Sequence, residues 1–350
     1  MLMSIDTAYM REAMARRLLR RGVSSGKITL PAVPGLVDEY VSVCNKIFGA
    51  LGRKFSGDEL DHLRSLLAKE LANAYAGSNR SNIVITYDAP VGTVLNYFIQ
   101  PQVSTLEESY DSWVASRKPP LFGINPDARV TALSTEITSP ETARVLDIGA
   151  GTGRNALALA RRGHPVDAVE LTPKFAEILR TEAFKHLLNI RVIDRDVFET
   201  MDDLQKDYQL IVLSEVVSDF RNVAQLRAIF ELAAGCLAPG GRLVFNTFMP
   251  RPGYLSDDAV RELADAAREL GQQVYTTIFT GEEIDIASAG LSLRLMTNDS
   301  VYEYEKENLP AGHWPPTGWY AEWVSGQDIF DVPREQSPVD MRWLVYQKTG

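Results

Sequence analysis

The sequence predicts an α/β protein built on a doubly wound, mostly parallel sheet, with a helical domain ahead of it. Three observations carry that reading. From residue 145 onward, short apolar runs alternate with helical segments in a βαβαβαβ order. The runs are apolar at nearly every position, as in strands covered on both faces. Before residue 90 the apolar residues instead recur at helical spacing.

The first strand of the sheet is Val145-Leu146-Asp147-Ile148, and it enters the turn Gly149-Ala150-Gly151-Thr152-Gly153. A ligand can sit close to such a turn because no Cβ blocks it. A helix over Asn155 to Arg162 stops at Gly163, and His164-Pro165 cannot continue it. Val166 to Leu171 is the second strand. Glu170 near its end can accept two hydrogen bonds from a vicinal diol such as a ribose. Thr172-Pro173 supplies an N-cap and an N1 proline for a helix through Leu188. Ile190 to Val197 is the third strand, and Tyr208 to Val217 the fourth, with Leu210 to Leu213 as its buried core. A helix over Gln225 to Leu237 and the turn Ala238-Pro239-Gly240-Gly241 lead to a fifth strand, Arg242 to Phe248. Ser256 caps a helix over Asp257 to Leu270, and Thr280-x-x-Glu283 is a capping box for a short helix ending near Gly290. Leu291 to Tyr304 alternates and reads as the sixth strand, and Met341 to Gln347 as the seventh.

The glycine spacing separates two cofactor classes. A dinucleotide fingerprint, G-x-G-x-x-G, would need its last glycine where Arg154 stands. G-x-G-x-G here resembles motif I of class I S-adenosylmethionine-dependent methyltransferases. The acid Glu170, the triplet Asp196-Val197-Phe198 and the block Leu237-x-Pro239-Gly240-Gly241 resemble later motifs of the family. The likeness runs from about Glu136 to Thr349, and Gly153-Arg154-Asn155-Ala156-Leu157 is similar in wording to the small-molecule, tellurite-resistance type enzymes. The resemblance implies a seven-stranded Rossmann-like sheet whose last two strands pair antiparallel. It implies S-adenosylmethionine as cofactor, with Asp147, Gly149, Gly151 and Gly153 around its methionine end. Glu170 and Leu171 then take the ribose, Asp196 and Val197 the adenine, and Ser214 and Glu215 the end of the fourth strand beside the donor.

Composition sets outer limits. At 350 residues the chain can bury one large core or two modest ones. Two distant cysteines, Cys44 and Cys236, exclude a disulfide framework and suggest a reducing, cytoplasmic setting. Four scattered histidines make no metal site. No apolar run has the length of a membrane span, and residues 1–22 lack the apolar stretch of a signal peptide. A net charge of −10 argues against a nucleic-acid substrate. The charge is uneven: residues 1–90 hold 12 Lys+Arg against 9 Asp+Glu, and the rest 24 against 37.

That unevenness marks a predicted helical accessory domain over residues 1–90. Its spacings are Leu36, Tyr40, Cys44, Ile47, Phe48 and Leu51, then Leu60, Leu63, Leu67, Leu71 and Ala74 after the Ser56-x-x-Glu59 capping box. Asn82 to Tyr87 looks like a short strand. The domain is read as a lid, a homodimer surface or a plain cover for the sheet. Residues 91–135 are read as a connecting segment over the active site, with Tyr97 and Tyr110 offered to the acceptor and Trp113 as seam packing. The catalytic domain, 136–350, carries an insertion at 305–340 that holds three of the five tryptophans. It is far longer than a hairpin needs. A parallel sixth strand ends on the ligand edge, so Trp314, Trp319 and Tyr320 are expected to wall an acceptor pocket, joined by Arg251 and Tyr254 from the loop after the fifth strand.

A sulfonium methyl is already an activated electrophile, so the protein must align a nucleophile and exclude water. A hydroxyl acceptor also needs its proton removed. Glu215, Asp219 and His313 are the candidates for that role or for orienting the acceptor. No cysteine suits a covalent mechanism, and Ser214-Glu215-Val216-Val217 lacks the N/D-P-P-Y/F signature of nucleic-acid amino methylation. The expected reaction is methyl transfer to an oxygen or nitrogen of a small molecule. A protein or peptide methyltransferase and a non-catalytic cofactor-binding scaffold are the alternatives.

Overall fold

The computed structural model describes residues 6–78, 80–90, 94–104, 108, 121–271 and 277–350. The chain divides into two compact units, Met1–Ser109 and Tyr110–Gly350.

The N-terminal unit is not purely helical. Three antiparallel strands, β1 (Ser24–Pro31), β2 (Asn82–Ala89) and β3 (Asn96–Gln102), form a sheet with β2 in the middle. Helices Val37–Ala50 and Gly57–Gly77 contribute Cys44, Phe48, Leu63, Leu67 and Leu71 to a core shared with Ile83 and Ile85 of β2. Those helical positions are the ones the periodicity singles out, and the Ser56–Glu59 capping box closes with both of its bonds. The two outer strands escape the sequence pattern for a physical reason. An edge strand needs few apolar residues, and β1 offers only Ile28 and Leu30 ahead of its final proline. Because β3 pairs with β2, the unit ends at Ser109 rather than near residue 90. The predicted connecting segment is therefore not one piece. Part of it is β3, and Ala128–Thr135 is a helix of the second unit. Tyr110 and Trp113 lie outside the described residues.

The second unit holds a seven-stranded sheet in the order β6-β5-β4-β7-β8-β10-β9. The strands are β4 (Val145–Ile148), β5 (Val166–Val169), β6 (Ile190–Ile193), β7 (Tyr208–Leu213), β8 (Leu237–Pro250), β9 (Leu293–Ser300) and β10 (Val339–Lys348). β4 to β8 are parallel, and β10 runs antiparallel between β8 and β9. The order reverses at β4, where chain crossovers leave toward β5 on one side and β7 on the other. A crevice at the strand ends is expected there. Two hydrophobic clusters cover the sheet. One is centred on Phe230, Phe245 and Tyr346, the other on Phe248, Met341 and Trp343. No described helix is long and apolar enough to cross a membrane.

Several boundaries differ from the sequence reading, β7 for instance ending at Leu213, and three of them have a visible cause. β6 stops at Ile193, because Asp196 caps a short helix, Val197–Thr200, by accepting from Phe198 N at 2.9 Å. β8 already begins at Leu237, and its register against β7 shifts between Tyr208 and Leu210 to absorb the Pro-Gly-Gly segment. β9 ends at Ser300, whose hydroxyl accepts from Glu303 N and starts the helix Val301–Asn308. The insertion therefore opens as a helix where a strand is expected.

Candidate functional site

The glycine turn after β4 is built from backbone that only glycine adopts without strain. Gly149, Gly151 and Gly153 have φ of 70°, 56° and 98°. A Cβ on Gly149 would lie 2.3 Å from Val216 Cγ2, and one on Gly153 would lie 2.5 Å from Leu179 Cδ1. Those two glycines also serve packing. The nearest atom to such a Cβ at Gly151 is the Phe122 ring, 3.5 Å away, so the open side of the turn is there.

Glu170 sits just past β5 and is 5% exposed. Its carboxylate accepts from Gly151 N at 2.7 Å through one oxygen and from Thr172 N at 2.7 Å through the other. Each oxygen keeps a lone pair, since an ionised carboxylate has about four acceptor positions. Burial raises the Glu170 pKa, and the two backbone N–H groups oppose the rise. Leu171 beside it is 45% exposed, an apolar face on the ligand edge, while Val197 is buried.

Behind the turn lies a polar cluster joined by residues from four segments. Asp127, at the start of the helix Ala128–Thr135, accepts from Asn155 Nδ2 at 2.8 Å and from Ser214 Oγ at 2.7 Å, and pairs with Arg154. Arg154 Nη2 donates to Ser214 Oγ at 3.2 Å and to Glu215 at 3.1 Å. Glu215 itself has a left-handed backbone, φ 59°, held by its N–H donating to Asn246 Oδ1 at 2.6 Å. Such a conformation in a residue other than glycine costs energy and concentrates at functional sites. Asp147 is buried with one oxygen lacking any partner among the described residues.

The charges of this cluster do not balance locally. Burial, and then the neighbouring Asp127, push Asp147 up to about 7. Burial lifts Glu215 to about 7 even though Arg154 pulls the other way. Arg154 pays desolvation as well, but Asp127 and Glu215 outweigh it and hold the guanidinium protonated. An ion pair at 3.1 Å would ordinarily lower an acid. Here one guanidinium is shared with Asp127, so burial prevails and Glu215 lies above its ordinary value.

The insertion reaches this cluster. Glu305, 1% exposed, accepts from Ala128 N at 2.7 Å, Arg129 N at 3.1 Å and Trp343 Nε1 at 3.0 Å. Burial and Asp127 raise it to about 7. Tyr320 is 3% exposed, and its hydroxyl has no partner among the described residues. Burial first, then the charges of Asp127, Glu305 and Glu215, push its pKa well above the ordinary value. Trp314 and Trp319 pack on the Tyr320 ring at 5.8 and 6.1 Å, and Tyr302 backs Trp314 at 5.0 Å.

Other predicted site residues have partners of their own. Arg251 Nη1 donates to Arg334 O at 2.8 Å, and Tyr254 Oη donates to Gln336 O at 2.9 Å, so both fasten the end of the insertion. His313 is exposed on a turn closed by its N–H to Pro310 O. Asp219 ends a half-buried 3-10 turn, and the next helix takes Asn222, not Asp219, as its N-cap. Tyr97 belongs to β3 of the N-terminal unit, against Phe48 and Phe55. Asp127 and Glu305 are absent from the sequence-based candidates. Asn125-Pro126-Asp127 before a helix was an available N-cap signal for the first. Nothing local marks Glu305.

Residues 125–285 match the family described as Methyltransferase domain. Among curated proteins, the chain is 30% identical over 128 residues to the ubiquinone biosynthesis O-methyltransferase of Xylella fastidiosa (strain M23), covering 37% of this chain and 50% of that one. It is 29% identical over 195 residues to the enzyme of that name from Coxiella burnetii (strain RSA 331 / Henzerling II), covering 55% and 81%. The chain thus spans about half the length of the Xylella relative. Similar solved structures include geranyl diphosphate C-methyltransferase from Streptomyces coelicolor A3(2), with 17% identity, TM-score 0.45 and coverage of 63% and 80%. Another is the cyclopropane synthase MmaA2 from Mycobacterium tuberculosis, with 16% identity, TM-score 0.44 and coverage of 63% and 83%. The match over residues 125–285 falls on the glycine turn and on the strands that flank it, within a sheet whose last strand runs antiparallel between its neighbours; this stretch of the second unit is a methyltransferase domain.

Proposed function

We propose that the protein transfers the methyl group of S-adenosylmethionine to an oxygen or nitrogen of a small molecule. The observation that carries this reading is the surplus of buried carboxylate around the glycine turn. Asp127, Asp147, Glu215 and Glu305 share the field of Arg154. A ligand bearing a sulfonium and an ammonium balances that surplus, whereas the pyrophosphate of a dinucleotide adds to it.

The residues fit that donor. The open face of Gly151 admits close approach, and the remaining lone pairs of Glu170 suit ribose hydroxyls. The unpartnered oxygen of Asp147 suits an N–H donor, and the second oxygen of Asp196 suits the adenine amino group. When bound, S-adenosylmethionine supplies a methyl group ready for in-line displacement. The chain's own part is alignment, exclusion of water and acceptance of a proton. Trp314, Trp319 and Tyr320 supply an aromatic wall, and Glu215, poised near neutrality, takes the proton of a hydroxyl acceptor as its oxygen attacks. A wall of this kind favours a compact acceptor over a protein chain. Two free, buried cysteines are consistent with a reducing cytoplasm.

The test is calorimetric titration with S-adenosylmethionine and with NAD, followed by incubation of a small-molecule extract with isotopically labelled donor and mass spectrometry. Preferential binding of S-adenosylmethionine and label in low-mass products is the expected result. Tighter binding of NAD, or label found only in protein, refutes the reading.

A further inference from the structure

The N-terminal unit holds a cleft of about 460 Å³ lined by its own residues. Of the residues that line it, Arg53 alone is buried, at 4% exposed. Its Nη1 donates to Arg20 O at 2.8 Å and its Nη2 to Pro90 O at 3.2 Å. Its Nε is buried with no partner, and no ion pair to Arg53 is found among the described residues. A guanidinium held out of water by neutral carbonyls alone is a costly arrangement, because burying a charge is tolerated when an opposite charge meets it.

The rest of the cleft points to what that charge would be. Arg20 and Lys54 add two exposed cations at the rim. Phe55, Leu95 and Tyr97 give an apolar wall in which the Phe55 and Tyr97 rings lie 5.9 Å apart. Two acids also line the cleft. Glu59 is occupied, since its carboxylate accepts from Ser56 N at 2.7 Å in the capping box, and Asp58 is exposed in the first turn of the same helix. Both acids keep their charge, so Arg20, Arg53 and Lys54 leave the lining with one net positive charge for a ligand to meet.

We infer that this cleft binds a small organic anion with a planar apolar body, its carboxylate or phosphate on Arg53 and its rings against Phe55 and Tyr97. The anionic head pairs with the Arg53 guanidinium and is drawn in by Arg20 and Lys54. The flat body is what the two aromatic rings and Leu95 accommodate. Tyr97 would then contact a ligand, though within the N-terminal unit.

The experiment uses the full chain with histidine side chains labelled for NMR, titrated with 1-naphthoate, 1-naphthyl phosphate and the uncharged 1-naphthylmethanol. His62 lines the cleft, whereas His164, His186 and His313 belong to the second unit. Movement of the His62 signal with either anion, the others staying still, is expected, and the tighter of the two anions identifies the head group. The alcohol should bind at least about 10-fold more weakly, as should either anion to Arg53→Ala, the value of a charge-assisted hydrogen bond. Arg53 also ties two backbone carbonyls, so its removal could unfold the unit. Lys54→Glu, at an exposed position, leaves the fold intact and should weaken binding by about 3-fold. No shift at His62 up to millimolar ligand, equal binding of the alcohol, or affinity unchanged in Lys54→Glu would overturn the inference.

Discussion

Glu170 makes two backbone hydrogen bonds before any ligand is considered, so its substitution acts on both binding and local order. Glu170→Ala should lower S-adenosylmethionine affinity by about 1.5–3 kcal/mol, read by calorimetry, and it should also loosen the turn by freeing Gly151 N and Thr172 N. An unchanged dissociation constant would remove Glu170 from the site. Tyr320 makes the opposite kind of prediction. Its hydroxyl is buried and unpartnered, so Tyr320→Phe should leave the melting temperature unchanged or raise it, because an unmet polar group is removed. Methyl transfer should nevertheless fall by about 10-fold or more if the hydroxyl positions the acceptor. Loss of stability together with activity would make the tyrosine structural. These two residues were legible in the sequence for different reasons. Glu170 lies a fixed distance from a glycine motif, and Tyr320 lies in a dense aromatic stretch. Asp127 offered only an N-cap signal and Glu305 none, because their importance comes from partners far along the chain: Ser214 for one, Trp343 and the Ala128 and Arg129 amides for the other.

The insertion is fastened to the sheet by more than its aromatics. Glu305 on the helix Val301–Asn308 satisfies two N–H groups at the start of the helix Ala128–Thr135 and the indole N–H of Trp343 on β10. An acid at a helix N-terminus is also favoured by the helix dipole. Glu305→Ala should therefore cost about 3 kcal/mol or more in urea unfolding, since three donors lose their acceptor. A cost under about 1 kcal/mol would show that water replaces the carboxylate. Excising the whole insertion is a poor test of the acceptor wall, because the same donors would be stranded. Single changes at Trp314 or Trp319 are cleaner. The sheet itself was legible because parallel strands buried on both faces give continuous apolar runs. The helix after β9 was not, because Leu291 to Tyr304 also alternates as a strand does, and only the Ser300–Glu303 cap distinguishes the two.

At the scale of the whole chain, the buried acids make stability depend on pH in an unusual direction. Asp147, Glu215 and Glu305 have folded-state values of about 7 against ordinary values of 3.8, 4.5 and 4.5. Between those limits the folded chain keeps protons that the unfolded chain has released. Their contribution therefore favours the fold most at the acid end and is lost as pH rises through about 7. Glu215→Gln should flatten part of that decline in melting temperature between about pH 5 and 7. A steeper decline would refute the assignment. The N-terminal unit was the least legible part, since β1 carries too few apolar residues to register as a pattern and the short apolar run of β3, Tyr97 to Ile99, is cut off by Pro101. The sheet of the second unit has a further consequence for how the protein is made. β10 lies between β8 and β9, so β9 has no neighbour in the sheet until residues 339–348 exist. During synthesis β4 to β8 can assemble in the order they emerge. β9, the helix that follows it and Glu305 must wait for the last strand of the sheet. A ribosome stalled before Val339 would hold a chain whose glycine turn is formed and whose proposed acceptor wall is not.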